Sequence, residues 1–328
     1  MGALDSIKRF LVRTHDTLLT QNNKIKIGLF HLMRSLKYSS NQNNRNGWIA
    51  SMRMKCHVLE KGLTMPNTRF CFGQARIAGI IDDLRNNHKY EKEEEYQYAI
   101  GLLKEYLDLH DINNIELPKS FRNSIEELTK LYPGIEPIKQ IELTSEEYFS
   151  HVNDPFPSFD KSRRTVRYFE KAAPLEDIEE AMKMAIYAPS ACNRQSVKCH
   201  FYEGEKVQEI LKVQTGNNGF GHLVPQLIIL TSDASMVASK EYNDSYTNAG
   251  IFAMNLSYAL YYKKIASCIL NWSVLPKDDN ALRKIADIPK EETIVLIIVL
   301  GKTPEKFKIA LSKRQPVEEF FIKHNRLK

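Results

Sequence analysis

Two nearly uninterrupted apolar runs, QLIILTSD at 226–233 and TIVLIIVLG at 293–301, set the strictest limit on how this chain can fold. A strand covered on one face alternates apolar and polar residues, whereas a strand apolar throughout must be covered on both, so these runs predict a sheet held between two layers. KCHFYE at 198–203 reads as a third strand. Residues 175–187 have helical periodicity, with Leu175, Ile178, Ala181, Met182, Ala185 and Ile186 inward and Pro174 at the first turn. A longer helix at 244–262 is apolar all round and requires burial in a core or at a subunit interface. The alternation of helices and β-rich runs after residue 160 predicts an α/β or α+β layered domain.

The first half differs. Residues 47–131 carry helical periodicity, with Ile100, Leu103 and Leu107 on one face after an acidic EKEEE start. Pro133, Gly134, Pro137, Pro155 and Pro157 then mark a connector, which predicts a helical accessory region at 1–154 and a second domain at 155–328. The first 37 residues read as a basic amphipathic helix, with Leu4, Ile7, Leu11, Leu18, Ile25, Ile27, Leu29, Leu32 and Leu36 among Lys and Arg; packing on the parent body or a twin subunit is preferred to a membrane surface.

Composition narrows the function classes. A net charge of +6, scattered along 328 residues, lacks the basic face with interleaved aromatics that a nucleic-acid binder concentrates. No run of 18 apolar residues occurs, so no transmembrane span is expected, and the N-terminus lacks the apolar centre of a signal peptide. Five cysteines with no C-x-x-C pair point to the reducing cytoplasm, and all five are read as core thiols.

Two segments carry chemistry. Arg163-Arg164-Thr165-Val166-Arg167 places three guanidinium groups and a hydroxyl in five positions, a set suited to phosphate oxygens; a solvated basic turn is the bland alternative. Ala188-Pro189-Ser190-Ala191-Cys192-Asn193-Arg194-Gln195 is a polar loop of small residues between a helix and a strand, where backbone N–H groups and amides can meet a planar ligand; alone it would read as a helix C-terminus with a proline stop.

Together, and in this order, they resemble the nitroreductase family of FMN-dependent oxidoreductases, whose members carry R-R-S-x-R-x-F and, one helix later, A-P-S-x-x-N-x-Q. The resemblance covers about 158–328. It continues through Val224-Pro225-Gln226 at the start of a strand, Asn248-Ala249-Gly250 with Asn255-Leu256 on the central dimer helix, Ser267 to Trp272 where the family strand passes the flavin, and Lys313-Arg314-Gln315-Pro316-Val317-Glu318-Glu319, similar to a terminal K-R-x-P-L-E-E. Thr165 replaces a serine, Ser196-Val197 stand where many members have Pro-Trp, and Lys264-Ile265-Ala266 lacks the usual glycines.

The resemblance implies an α+β, three-layer fold with a mainly antiparallel central sheet flanked by helices, after the helical N-terminal region. It implies FMN bound by Arg163, Arg164, Thr165, Arg167, Pro189, Ser190, Ala191, Asn193, Gln195, Leu270, Asn271 and Arg314. Arg163, Arg167 and Arg314 would offset the phosphate charge, Asn193 and Gln195 would meet the polar ring edge, and backbone at 270–272 would lie near flavin N5. NADH or NADPH is the implied electron donor, a small molecule the acceptor and a homodimer the assembly. No side chain stands out as a general acid or nucleophile, in keeping with chemistry done by the cofactor. The alternative is a scaffold that keeps the fold without turnover, and the N-terminal stretch is weakly similar to those of nitroreductase-like proteins linked to surface-polysaccharide synthesis.

Other candidates carry less. Thr215 to Gly221 is glycine-rich without a following Lys-Ser/Thr, so it is a rim loop or a plain turn rather than a P-loop. His57 and Glu60 near Cys56 and Gly62 read as a helix end satisfied locally rather than a metal site.

Overall fold

A computed structural model of the protein describes residues 22, 25–38, 44–238, 241 and 243–324. Residues 25–38 are helical (α1), whereas Leu4, Ile7, Leu11 and Leu18 of the expected basic helix lie outside the described residues. The chain forms two compact units. One comprises Gln42–Glu142 with Lys308–Lys328; the other comprises Met1–Asn41 with Leu143–Phe307.

The first unit is built on helices α2 (Arg45–Leu63), α3 (Gln74–Asn86), α4 (Glu94–Ile112) and α5 (Lys119–Lys130). The Asn44 side chain caps α2 by accepting from Gly47 N at 2.8 Å. Trp48, Met52, Cys56, Leu59 and Leu63 of α2 recur at helical spacing and are buried with Ile100, Leu103 and Leu107 of α4, the face that the periodicity predicts. Glu60 is not satisfied locally as expected. It is 3% exposed, lies 3.9 Å from His57 Nδ1, and accepts from Tyr98 Oη at 2.5 Å and from Ser312 N at 2.9 Å. The side chain points into the unit, where its hydrogen-bond donors come from distant parts of the chain. Burial and the Glu60 carboxylate together push the Tyr98 phenol up from its ordinary value.

Residues 308–324 complete this unit. Leu311 N donates to Gln140 Oε1 at 3.1 Å, Lys313 pairs with Glu94 at 3.0 Å, and Arg45 bridges Glu93 and Glu319. Backbone crowding fixes Gly101 on α4, because a Cβ there would sit 2.4 Å from Ile138 Cγ1 and 2.9 Å from the Glu136 carbonyl oxygen. Gly101→Ala is expected to cost about 1–3 kcal/mol, read as a lower urea midpoint at unchanged m-value. An unchanged or higher midpoint would show that the 136–138 segment yields freely.

The proline-rich connector is not wholly irregular. It holds strand β1 (Ile141–Thr144), which pairs with β6 (Lys306–Ile309), followed by the single turn α6 (Ser145–Tyr148) and by α7 (Phe156–Ser162). A capping box between Thr144 and Glu147 starts α6.

In the second unit, α8 (Leu175–Ala185), β2 (Val197–Glu203), α9 (Glu205–Val213), β3 (Gln226–Asp233), α10 (Asp244–Tyr262), β4 (Ala266–Asn271), α11 (Pro276–Ala286) and β5 (Glu292–Gly301) follow in order. The four strands form one sheet in the order β2-β3-β5-β4 with every pairing antiparallel. Ile228 and Leu230 alternate along β3 with Leu227 and Ile229, so the two pairs face opposite sides of the sheet, and all four are fully buried. Helices α8 and α10 cover the Ile228 face together with Ile298 and Leu300. The structure thus has the mixed α+β, antiparallel architecture expected, preceded by helices.

Three side chains depart from expectation. Leu175 and Ile186 are exposed, because they sit at the two ends of α8 and at the margin of the stripe formed by Ile178, Ala181 and Ala185. Cys192 is not a core thiol. It is exposed, on a left-handed turn with φ 52° that directs its side chain outward.

Candidate functional site

The arginine segment is fastened to the sheet at its β4 side. Arg163 ends α7, its N–H donating to Phe159 O at 3.2 Å. Tyr148 Oη donates to Arg164 O at 2.7 Å and accepts from Arg164 N at 3.3 Å. Val166 N donates to Ser267 O at 3.1 Å, and Glu170 N to Lys302 O at 2.9 Å. Val166 and Phe169 are buried, so the segment is held by two apolar anchors with the arginines between and before them. Burial pushes the Tyr148 phenol up, an effect opposed by its hydrogen bond with Arg164 and by the Arg163 cation. Arg163 Nε is buried and has no hydrogen-bond acceptor. Such a group is costly unless an acceptor arrives, and an anion supplies one.

The 188–195 loop is strained. Cys192, Asn193 and Gln195 have φ of 52°, 53° and 51°, a region that side chains other than glycine visit rarely and that clusters at binding sites. The loop is clamped from α10. Buried Asn248 accepts from Ala191 N through Oδ1 at 3.1 Å, Ser190 Oγ accepts from Gln195 N at 3.0 Å, and Arg194 pairs with Glu241, which raises the guanidinium above its ordinary value. Pro189, Ser190 and Gln195, with Ile186, Asn248 and Phe252, line a cavity of about 150 Å³.

Leu270 is buried near the end of β4, and the carbonyl of Asn271 accepts from Gln214 Nε2 at 3.0 Å. Gln214, itself buried, also accepts from Gly216 N at 2.6 Å, so the glycine-rich loop is tied to the strand end rather than being a plain turn. Sequence reasoning did not single out Gln214 or Tyr148. Neither belongs to a motif, and their roles come from hydrogen bonds across 57 and 16 residues of chain.

The register shows which of these pieces meet. The arginine segment binds Ser267, four residues before Asn271 on the same strand, about 13 Å along β4. The 188–195 loop runs into Val197, which pairs through Ser232 with Thr293, whereas Ser267 pairs with Leu300. Seven residues of β5, about 23 Å, separate those levels. Helix α10 gives a second ruler. Asn248 holds the loop, Tyr261 Oη donates to Tyr148 O at 2.8 Å beside the arginines, and the step of thirteen positions from one to the other spans about 20 Å. Within one protomer the arginine segment and the 188–195 loop therefore lie at opposite levels of the sheet, with the level of 270–271 between them. Arg314 lies in the first unit, its Nη1 donating to Ser312 O at 3.1 Å.

The nitroreductase family profile matches residues 161–217 and 204–302, that is, the sheet and its covering helices. The match to the nitroreductase family lies in this domain, which a helical region precedes. Solved structures similar to it include a nitroreductase family protein from Streptococcus pneumoniae, 24% identical over 52% of this chain and 100% of that one with a TM-score of 0.45. An FMN-dependent nitroreductase from Clostridium difficile is 21% identical over 51% and 98%, TM-score 0.43. A nitroreductase from Desulfovibrio desulfuricans in complex with FMN is 16% identical over 53% and 99%, TM-score 0.45. No curated protein matches the chain significantly.

Proposed function

We propose that the protein is an FMN-dependent oxidoreductase that passes electrons from NADH or NADPH to a small-molecule acceptor. The observation that carries this reading is the buried, acceptor-less Nε of Arg163 at the head of a cationic segment docked on β4 at Ser267. The residues present fit the cofactor. Arg163, Arg164, Thr165 and Arg167 would hold its phosphate, the end of β4 would face its ring, and Pro189, Ser190, Ala191, Asn193 and Gln195 offer amides and backbone donors to a second edge. FMN, when bound, supplies the two-electron redox chemistry. The side chains position it, offset its charge and restrict water.

The 188–195 loop and the arginine segment contact α10 at points about 20 Å apart, and a homodimer in which each site draws on both protomers would let the two segments meet one flavin. Helix α10 offers a face for such pairing. Ile251 and Tyr262 are exposed on it, and nothing lies within 4 Å of where a Cβ of Gly250 would be. Free thiols at all five cysteines suit a cytoplasmic location. Light scattering with absorbance detection tests the reading. Flavin absorption is expected to travel with a species of twice 37.9 kDa and to bleach on anaerobic addition of NADH or NADPH. A colourless protein that takes up no added FMN rejects the proposal, and bound flavin that neither nucleotide reduces leaves a scaffold.

A further inference from the structure

Helix α1 is a basic amphipathic helix whose apolar face is open. Ile25, Leu29, Leu32 and Leu36 recur at i, i+4, i+7 and i+11, the spacing of one helical face, and each is more than half exposed. Lys26, Phe30, Met33 and Lys37 form the adjoining row, and Arg34 lies further round. Phe30 and Met33 are also more than half exposed, as is Tyr38 at the helix end. Fourteen residues make about 21 Å of helix, and no helix among the described residues is long and apolar enough to cross a bilayer.

Charge decides the occupant. From Thr17 to Leu59 the sequence has seven Lys and Arg and no Asp or Glu. A twin copy seated on this face by two-fold symmetry would bring Lys26, Arg34 and Lys37 of both helices together with no carboxylate on either. Cores of protein interfaces are also poor in lysine. An anionic bilayer surface satisfies both features at once, because the leucines enter the acyl boundary while the lysine stems extend to lipid phosphates and carboxylates.

We infer that α1 is a docking element for an anionic membrane surface, lying in its plane and holding the protein at the lipid interface. Sedimentation of the full chain with vesicles tests this. The protein is expected to pellet with phosphatidylcholine vesicles that contain phosphatidylserine, to remain free with phosphatidylcholine alone, and to be released by high salt. Leu29→Ser with Leu36→Ser should abolish binding, and Lys26→Gln with Lys37→Gln should weaken it about 30-fold, from about 1 kcal/mol per lysine. These positions are exposed, so circular dichroism and FMN uptake should match the unmodified protein. No pelleting of the full chain, or variants that pellet as fully as the unmodified protein, overturns the inference. It is also overturned if the leucine variant lowers the oligomeric state while vesicles bind neither protein, which would make α1 a contact between copies.

Discussion

Phe169→Ala is expected to cost about 3–5 kcal/mol of folding stability, the largest single-residue effect foreseen for the sheet unit. The ring is 1% exposed and sits against Gly301, where a Cβ would come within 3.2 Å of Phe169 Cδ1 and 3.0 Å of the Lys171 carbonyl oxygen. Phe169 is thus packed where the end of β5 has no side chain, and its removal leaves a cavity that backbone on both sides prevents from collapsing. The same ring pins the arginine segment, so FMN affinity should fall with stability. Phe169→Leu should recover the greater part of both. Urea unfolding followed by circular dichroism checks the first effect, and a loss below about 1 kcal/mol would mean that the backbone hydrogen bonds of Val166 and Glu170 alone hold the segment.

Arg163→Ala is expected to weaken FMN binding about ten- to a hundred-fold while leaving riboflavin nearly unchanged. A phosphate monoester carries close to two negative charges, and a charge-assisted hydrogen bond to it is worth roughly 1.5–3 kcal/mol, where each 1.4 kcal/mol is a factor of ten. Riboflavin has the same ring and ribityl chain without the phosphate, so the difference between the two titrations isolates the ionic contact. If Arg163 only braces the aromatic cluster of Tyr148 and Tyr261, both ligands should lose affinity equally. Arg314, which the sequence resemblance assigns to the same phosphate, can be judged by the same pair of titrations.

The sheet was legible in the sequence because burial on both faces leaves no polar alternation, and runs such as 226–233 and 293–301 have few other uses. The three strands read from the sequence agree within a residue with β2, β3 and β5, whereas β1 and β6 were not expected. Helix faces were less legible at their ends, as Leu175 and Ile186 show, since periodicity marks a stripe and cannot tell where the covering layer stops. The motif residues were found through their order, but the 188–195 loop and the arginines lie at different levels of the sheet. That separation is a matter of register, which one strand's composition does not encode. Gln214, Tyr148 and the partners of Glu60 escaped notice for a related reason. Each acts through hydrogen bonds to groups remote in the chain, most of them backbone, which no local motif records.

The return of residues 308–324 to the helices around Glu60 also bears on the order in which the protein can mature at the ribosome. Helices α2 to α4 emerge early, yet the donor that Ser312 gives to the buried Glu60 carboxylate, and the cation that Lys313 gives to Glu94, are translated some 200 residues later. Until then α2 carries a carboxylate on its apolar face with Tyr98 as its remaining buried donor. The sheet domain, whose strands all lie between residues 197 and 301, can close before the helical unit does. Residues 308–324 therefore lock helices translated long before them, and premature termination after β6 would strand the helical unit rather than the sheet domain.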